Sequence, residues 1–131
     1  MAGREFSGAA SAQSDLFNGR AWIVVPTRST RNEVLSSVTE LIETLGATVY
    51  QMDGLSHDRL LARISHLPQA LSTSLAGSLL DIGSGMELSG QGLRDTTRLA
   101  ESDPQLWSEI FIANQDAVLE AIEKFSFQLE K

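Results

Sequence analysis

The chain has 131 residues, 42% of them hydrophobic and 21% charged, with a formal net charge of −7 and no cysteine. This is ordinary globular composition, with enough length for a real core. The acidic balance speaks against general binding to nucleic acid or an anionic membrane, which need a cationic surface, and the missing cysteine excludes disulfides and thiolate chemistry.

Residues 1–19 are rich in Ala, Ser and Gly and read as an irregular lead-in, with Phe6, Leu16 and Phe17 as its anchors. They hold no apolar stretch of signal-peptide type. The apolar run Ala21 to Val25 is far too short to span a bilayer. A soluble, cytoplasmic protein is expected. That run ends at Pro26, and its β-branched and aromatic content predicts a buried strand. Thr30 and Glu33 have the spacing of a capping box. Val34, Val38, Leu41, Ile42 and Leu45 follow at helical intervals, and Gly46 sits where a left-handed residue closes a helix. Thr48 to Met52 reads as a second strand. Strand, helix and strand over about 30 residues form a βαβ unit with parallel strands. One such unit leaves an apolar strand short of neighbours, as if the rest of a sheet lay elsewhere.

From Leu55 onward the pattern is helical, with Leu60, Leu61, Ile64, Leu67, Leu71, Leu75 and Leu79 spaced by three or four. Pro68 falls inside this stripe and should kink or break the helix. Gly83, Gly85, Gly90 and Gly92 predict turns around a short helical piece. Asp103-Pro104 then announces a last helix, an N-cap followed by proline at the first position. Trp107, Ile110, Phe111, Val118, Ile122, Phe125 and Leu129 give it a stripe to the end, about 26 residues or about 39 Å. Such length predicts burial against a partner.

Three polar groups stand out. His57-Asp58 has the look of a metal-holding pair, but such sites need further histidines and only His66 is available, so no metal site is expected; a helix start with an acid in its first turn is the plain alternative. Ser65-His66-Leu67-Pro68-Gln69 lies at the expected helix break, where freed backbone and polar side chains can meet a ligand. Asp95 and Arg98 are three apart, so on a helix they can pair and hold the guanidinium as a fork for a carboxylate. A solvated charged face is the competing reading.

Taken together, these segments resemble the prephenate and arogenate dehydrogenases. Gly90 to Trp107, GQGLRDTTRLAESDPQLW, is similar to that family's glycine-rich turn, Arg/Lys-Asp-x-Thr-Arg core and Ser-Asp-Pro-x-x-Trp helix start. Met1 to Glu5, Phe17 to Thr27, and His57-Asp58 with Ser65 to Pro68 match three further motifs in the family's order. The resemblance implies a mainly α fold: residues 1–53 as the tail of a Rossmann-type nucleotide-binding domain, a residual βαβ unit, and residues 54–131 as a helical substrate-binding and dimerisation domain. It implies an NAD- or NADP-dependent oxidative decarboxylation in tyrosine biosynthesis. The ring carbon bearing the hydroxyl gives hydride to the nicotinamide, carboxylate leaves and the ring aromatises, taking prephenate to 4-hydroxyphenylpyruvate. Arogenate is the alternative substrate.

In that scheme Arg98 binds the side-chain carboxylate, Asp95 orients it, His66 and Trp107 line the pocket, and Glu5 sits near its mouth. The family's catalytic histidine falls two residues before Met1, and no G-x-G-x-x-G loop follows a strand, so neither catalytic base nor cofactor loop is expected in this chain. The chain by itself is expected to be inactive and to bind no dinucleotide strongly, with a homodimer as its assembly. A second histidine often follows Ser-His-Leu-Pro in the family; Gln69 stands there instead, at a position that faces the substrate in relatives. The rival expectation is a non-catalytic helical interaction or regulatory module.

Overall fold

The computed structural model describes residues 8–131. Glu5 and the Met1–Glu5 motif lie outside them. The chain divides between His57 and Asp58 into two compact units.

In the first unit, β1 (Ala21–Val24) and β2 (Thr48–Gln51) pair in parallel, Ala21 opposite Thr48 and Val24 opposite Gln51. Helix α1 (Asn32–Thr44) joins them. The expected βαβ unit is therefore present, as a two-stranded sheet. Its start differs from the capping box. The Thr27 amide donates to Thr30 Oγ1 at 2.9 Å, and the Thr30 amide donates to the Thr27 carbonyl at 3.1 Å. Hydroxyls at 27, 29 and 30 satisfy one another in a closed turn, so Thr30 is no longer available to the helix, which begins one residue further on, behind Arg31.

The end of α1 follows expectation. Gly46 has φ +81°, its amide donates to Glu43 O at 2.9 Å, and the Ala47 amide donates to Ile42 O at 3.3 Å. These are the paired bonds of a Schellman closure, and the residues at its two ends, Ile42 and Ala47, are both buried. Much of α1's apolar surface (Val34, Val38, Leu41) is nevertheless exposed, as a βαβ unit short of neighbouring strands and helices should be.

Helix α2 (Gly54–Leu61) starts earlier than the His57-Asp58 reading placed it. Asp53 accepts from the Ser56 amide at 3.0 Å and the Ser56 hydroxyl at 2.7 Å. The hydroxyl and then the amide hold its carboxyl below the usual range.

The proline break takes a specific form. Residues Ala62–His66 widen into a π turn, closed by the Leu67 amide donating to Ala62 O, and α3 (Leu67–Ser78) restarts with Pro68 in its first turn. The wider turn accommodates the ring and missing donor at 68 without ending the helical path. Gly83–Leu88 is a 3₁₀ piece entered through Gly83 at φ +62°. Helix α4 (Gln91–Thr97) tightens into a 3₁₀ turn over Arg98–Glu101.

Asp103 caps α5 (Pro104–Ala113), its Oδ1 accepting from the amides of Gln105 at 2.8 Å and Leu106 at 3.2 Å. The single last helix does not form. The chain leaves helical geometry at Asn114 (φ −122°, ψ 33°) before α6 (Gln115–Leu129). Asparagine is a weak helix former whose side chain competes for backbone partners, and here it is engaged elsewhere. The core of this second unit is small: Ala62, Val118 and Ala121, with Leu67, Phe111, Ala117 and Ile122 against them. Small residues at 62 and 121 let the π turn and α6 approach closely. No helix among the described residues is long and apolar enough to cross a membrane.

Candidate functional site

The buried face of α3 is polar. His66, Gln69 and Ser72 are each at most 7% exposed and fall three apart on one helical face. An ordinary packing face would place apolar groups there. Each of the three is held by a group from later in the chain.

Gln69 Nε2 donates to the Leu99 carbonyl at 2.7 Å and reaches Thr73 Oγ1 at 3.4 Å. Ser72 Oγ accepts from the Ala100 amide at 3.1 Å. Two successive residues of the 3₁₀ turn that begins at Arg98 are thus strapped to α3 by buried side chains. The strap fixes the backbone that carries Arg98, whose side chain is exposed.

The expected Asp95–Arg98 pair is absent. Asp95 Oδ1 accepts from Gln91 Nε2 at 2.7 Å instead. Gln91 lies one full α turn before Asp95, whereas the helix changes to a 3₁₀ turn at Arg98. Arg98 is therefore positioned through its backbone rather than by a carboxylate.

His66 is met by Asn114 and Trp107. Its ring lies edge-on to Trp107, centroids 6.1 Å apart, and Trp107 contacts Phe111 at 5.7 Å. Asn114 Nδ2 donates to the Asp58 carbonyl at 2.8 Å and lies 3.2 Å from His66 Nδ1. A carbonyl oxygen only accepts, so Asp58 fixes which way the Asn114 amide faces. Nδ1 of His66 is then an acceptor, and the neutral ring carries its proton on Nε2. Nitrogen NMR of the chain, with His57→Gln to separate its two histidines, should show an unprotonated Nδ1. Asn114→Asp should move a proton onto it. A wild-type ring protonated at Nδ1 would contradict this geometry.

Two buried polar atoms have no hydrogen-bond partner among the described residues: Gln69 Oε1, an acceptor, and Trp107 Nε1, a donor. Buried polar groups are rarely left this way, so each marks a place where a hydrogen-bonding partner is expected. The structure thus gathers His66, Gln69 and Trp107, adds Ser72 and Asn114, and anchors Arg98 beside them through its backbone; Asp95 remains on the exposed side of α4. Sequence reasoning missed Ser72 and Asn114. The available signals were a serine three residues after Gln69 on the same face, and an asparagine inside an apolar helical stripe.

No three His, Asp or Glu side chains gather into a metal-holding group among the described residues. A separate concavity of about 290 Å³ is lined by Arg59, Arg63, Glu120 and Lys124. Its acid is already occupied: hydrogen bonding and charge from Lys124, with lesser contributions from Arg59 and Arg63, lower the Glu120 carboxyl. The turn from β1 into α1 does not form a glycine-rich phosphate cradle. The connection from β1 to α1 has no glycine, and the Thr27 amide, which could meet a phosphate, is used by Thr30.

Comparison with known proteins gives matches over two successive stretches of the chain. The family described as "Prephenate dehydrogenase, dimerization domain" matches residues 53–131, and "Prephenate dehydrogenase, nucleotide-binding domain" matches residues 1–51. A cyclohexadienyl dehydrogenase of Zymomonas mobilis is 29% identical over 100% of this chain and 46% of its own length. The structure of prephenate dehydrogenase from A. aeolicus in complex with hydroxyphenyl propionate and NAD+ is similar with a TM-score of 0.90 and 34% identity, over 99% of this chain and 47% of that one. Synechocystis arogenate dehydrogenase is similar with a TM-score of 0.77 and 29% identity, over 88% of this chain and 44% of that one. The chain spans less than half the length of each of these relatives.

Proposed function

The chain belongs to the prephenate dehydrogenase family, and from that premise we propose that it supplies the substrate-binding and dimerisation part of an NAD(P)-dependent dehydrogenase acting on prephenate or arogenate in tyrosine biosynthesis. Residues 54–131 are the binding and dimerisation region, and residues 1–53 the tail of a nucleotide-binding domain. The observation that carries this reading is the polar face of α3, with its unpartnered Gln69 Oε1 and Trp107 Nε1 next to the strap that holds Arg98.

Within it, Arg98 offers a two-pronged donor to the side-chain carboxylate. Trp107 Nε1 is a donor for a further oxygen atom of the ligand, Gln69 Oε1 is an acceptor, and His66 lines the pocket against Trp107. Asp95, held by Gln91, does not pair with Arg98 directly. The chain's part in this reaction is to bind and orient the substrate. Its work is in the cytoplasm, without nucleic acid, membrane or metal as partner.

Joining the chain to a nucleotide-binding domain that carries a glycine-rich loop should give turnover of prephenate or arogenate with NAD or NADP, in a protein that sediments as a dimer. The chain alone should give none. Turnover by the chain alone would contradict the division of labour, and an inactive or monomeric joined protein would contradict the function itself. A non-catalytic module would behave in the second way.

A further inference from the structure

Gln69 can present only an acceptor to a ligand. Its amide cannot turn over, because Nε2 is bound to the Leu99 carbonyl, a group that accepts and never donates. The second amide proton is directed to Thr73 Oγ1. Oε1 is left on the opposite side of the amide, in a residue 3% exposed, with no donor among the described residues. Trp107 Nε1–H, also buried and unmatched, does not satisfy it. These two groups therefore call for two complementary ligand atoms, a donor for Gln69 and an acceptor for Trp107.

The candidate substrates differ at one carbon. In the keto acid, the atom beside the carboxylate carries an oxygen that only accepts. In the amino acid, it carries an ammonium with three donors and no acceptor. The ring hydroxyl is common to both and does not discriminate. Gln69 is bonded to Leu99, the residue after Arg98, so the amide and the residue read as the carboxylate fork are anchored one position apart. An ammonium supplies the donor that Oε1 lacks, whereas a keto oxygen facing Oε1 would set acceptor against acceptor.

We propose that Gln69 is a specificity-determining residue and that the pocket prefers the amino-acid form of the substrate, the arogenate type, over the keto-acid form. This rests on the function proposed above for the same site. The test is calorimetry on the full chain with three ligands that share a phenol ring and a carboxylate: L-tyrosine with an ammonium, 4-hydroxyphenylpyruvate with a keto oxygen, and 4-hydroxyphenylpropionate with neither. L-Tyrosine should bind at least about tenfold tighter than the pyruvate, the scale of one charge-assisted hydrogen bond. In Gln69→Leu, checked by its melt, that gap should shrink to within about threefold, through weaker tyrosine binding. Equal or tighter binding of the keto acid by the wild-type chain would overturn the preference and leave the site standing. A gap that survived in a folded Gln69→Leu would overturn the assignment to Gln69. Binding of none of the three at millimolar concentration would remove the site, and the function proposed for it, together. The wild-type comparison decides the preference even if the variant fails to fold.

Discussion

Replacing Arg98 by alanine is expected to weaken binding of a carboxylate ligand roughly tenfold to a hundredfold, the effect of losing a charge-assisted fork of about 1.5–3 kcal/mol. The fold should hardly notice. Arg98 is exposed and forms no pair with Asp95, whose carboxylate goes to Gln91, so no buried charge is left behind. Arg98→Lys should recover only part of the loss, because an ammonium keeps the charge without the planar fork. Asp95→Ala should change affinity much less than Arg98→Ala, since its carboxylate is engaged by Gln91, about two helical turns before the arginine. Ligand affinity or KM is the readout, with a thermal melt as control. Unchanged affinity in Arg98→Ala, or a loss explained by unfolding, would return Arg98 to a surface role.

Ser72→Ala carries the second large expectation, and its effect should run the other way, on stability first. The hydroxyl is 2% exposed and receives the Ala100 amide. Its removal leaves that partly buried N–H without an acceptor, which costs about 1–3 kcal/mol. In a region of this size that corresponds to a melting temperature lower by roughly 4–20 °C. Binding should weaken as well, because the loosened turn carries Arg98. Ser72→Thr retains the hydroxyl and should restore binding along with stability. Together with Gln69→Leu, the Ser72→Ala effect should be less than additive, since the two side chains hold adjacent residues of one turn. An unchanged melt in Ser72→Ala would show that the strap does not hold the turn.

Much of the fold was legible because local chemistry and tertiary context agree. The left-handed Gly46, the Asp103-Pro104 start and the strand at β1 each have one favourable local solution, and each forms; β1 is half-buried rather than buried, because its two-stranded sheet lacks the neighbours that would cover it. The failures occur where a side chain had a choice. Thr30 has the right spacing to cap α1, but Thr27 and Ser29 are nearer. Asp95 can reach Arg98 in a regular helix, yet Gln91 takes the carboxylate before the helix tightens. Asn114 sits in an unbroken apolar stripe, and only the chain's return to Asp58 and His66, 56 and 48 residues away in sequence, shows why the helix stops there. The site follows the same rule. His66, Gln69, Trp107 and Arg98 stood out as residues in motifs, whereas the strap through Ser72 depends on a contact 28 residues away that no periodicity encodes.

The polar face around His66, Gln69 and Trp107 is proposed to receive a small aromatic carboxylate. The chain's two tryptophans allow a direct test, one in each compact unit: Trp22 on β1 and Trp107 on α5. In a nitrogen-labelled sample titrated with 4-hydroxyphenylpropionate, the indole N–H signal of Trp107, a buried donor without a partner, should shift progressively to saturation as it gains an acceptor. The Trp22 signal should stay in place. A Trp107 signal that remains fixed at saturating ligand, or that moves no more than Trp22, would contradict the assignment of this site.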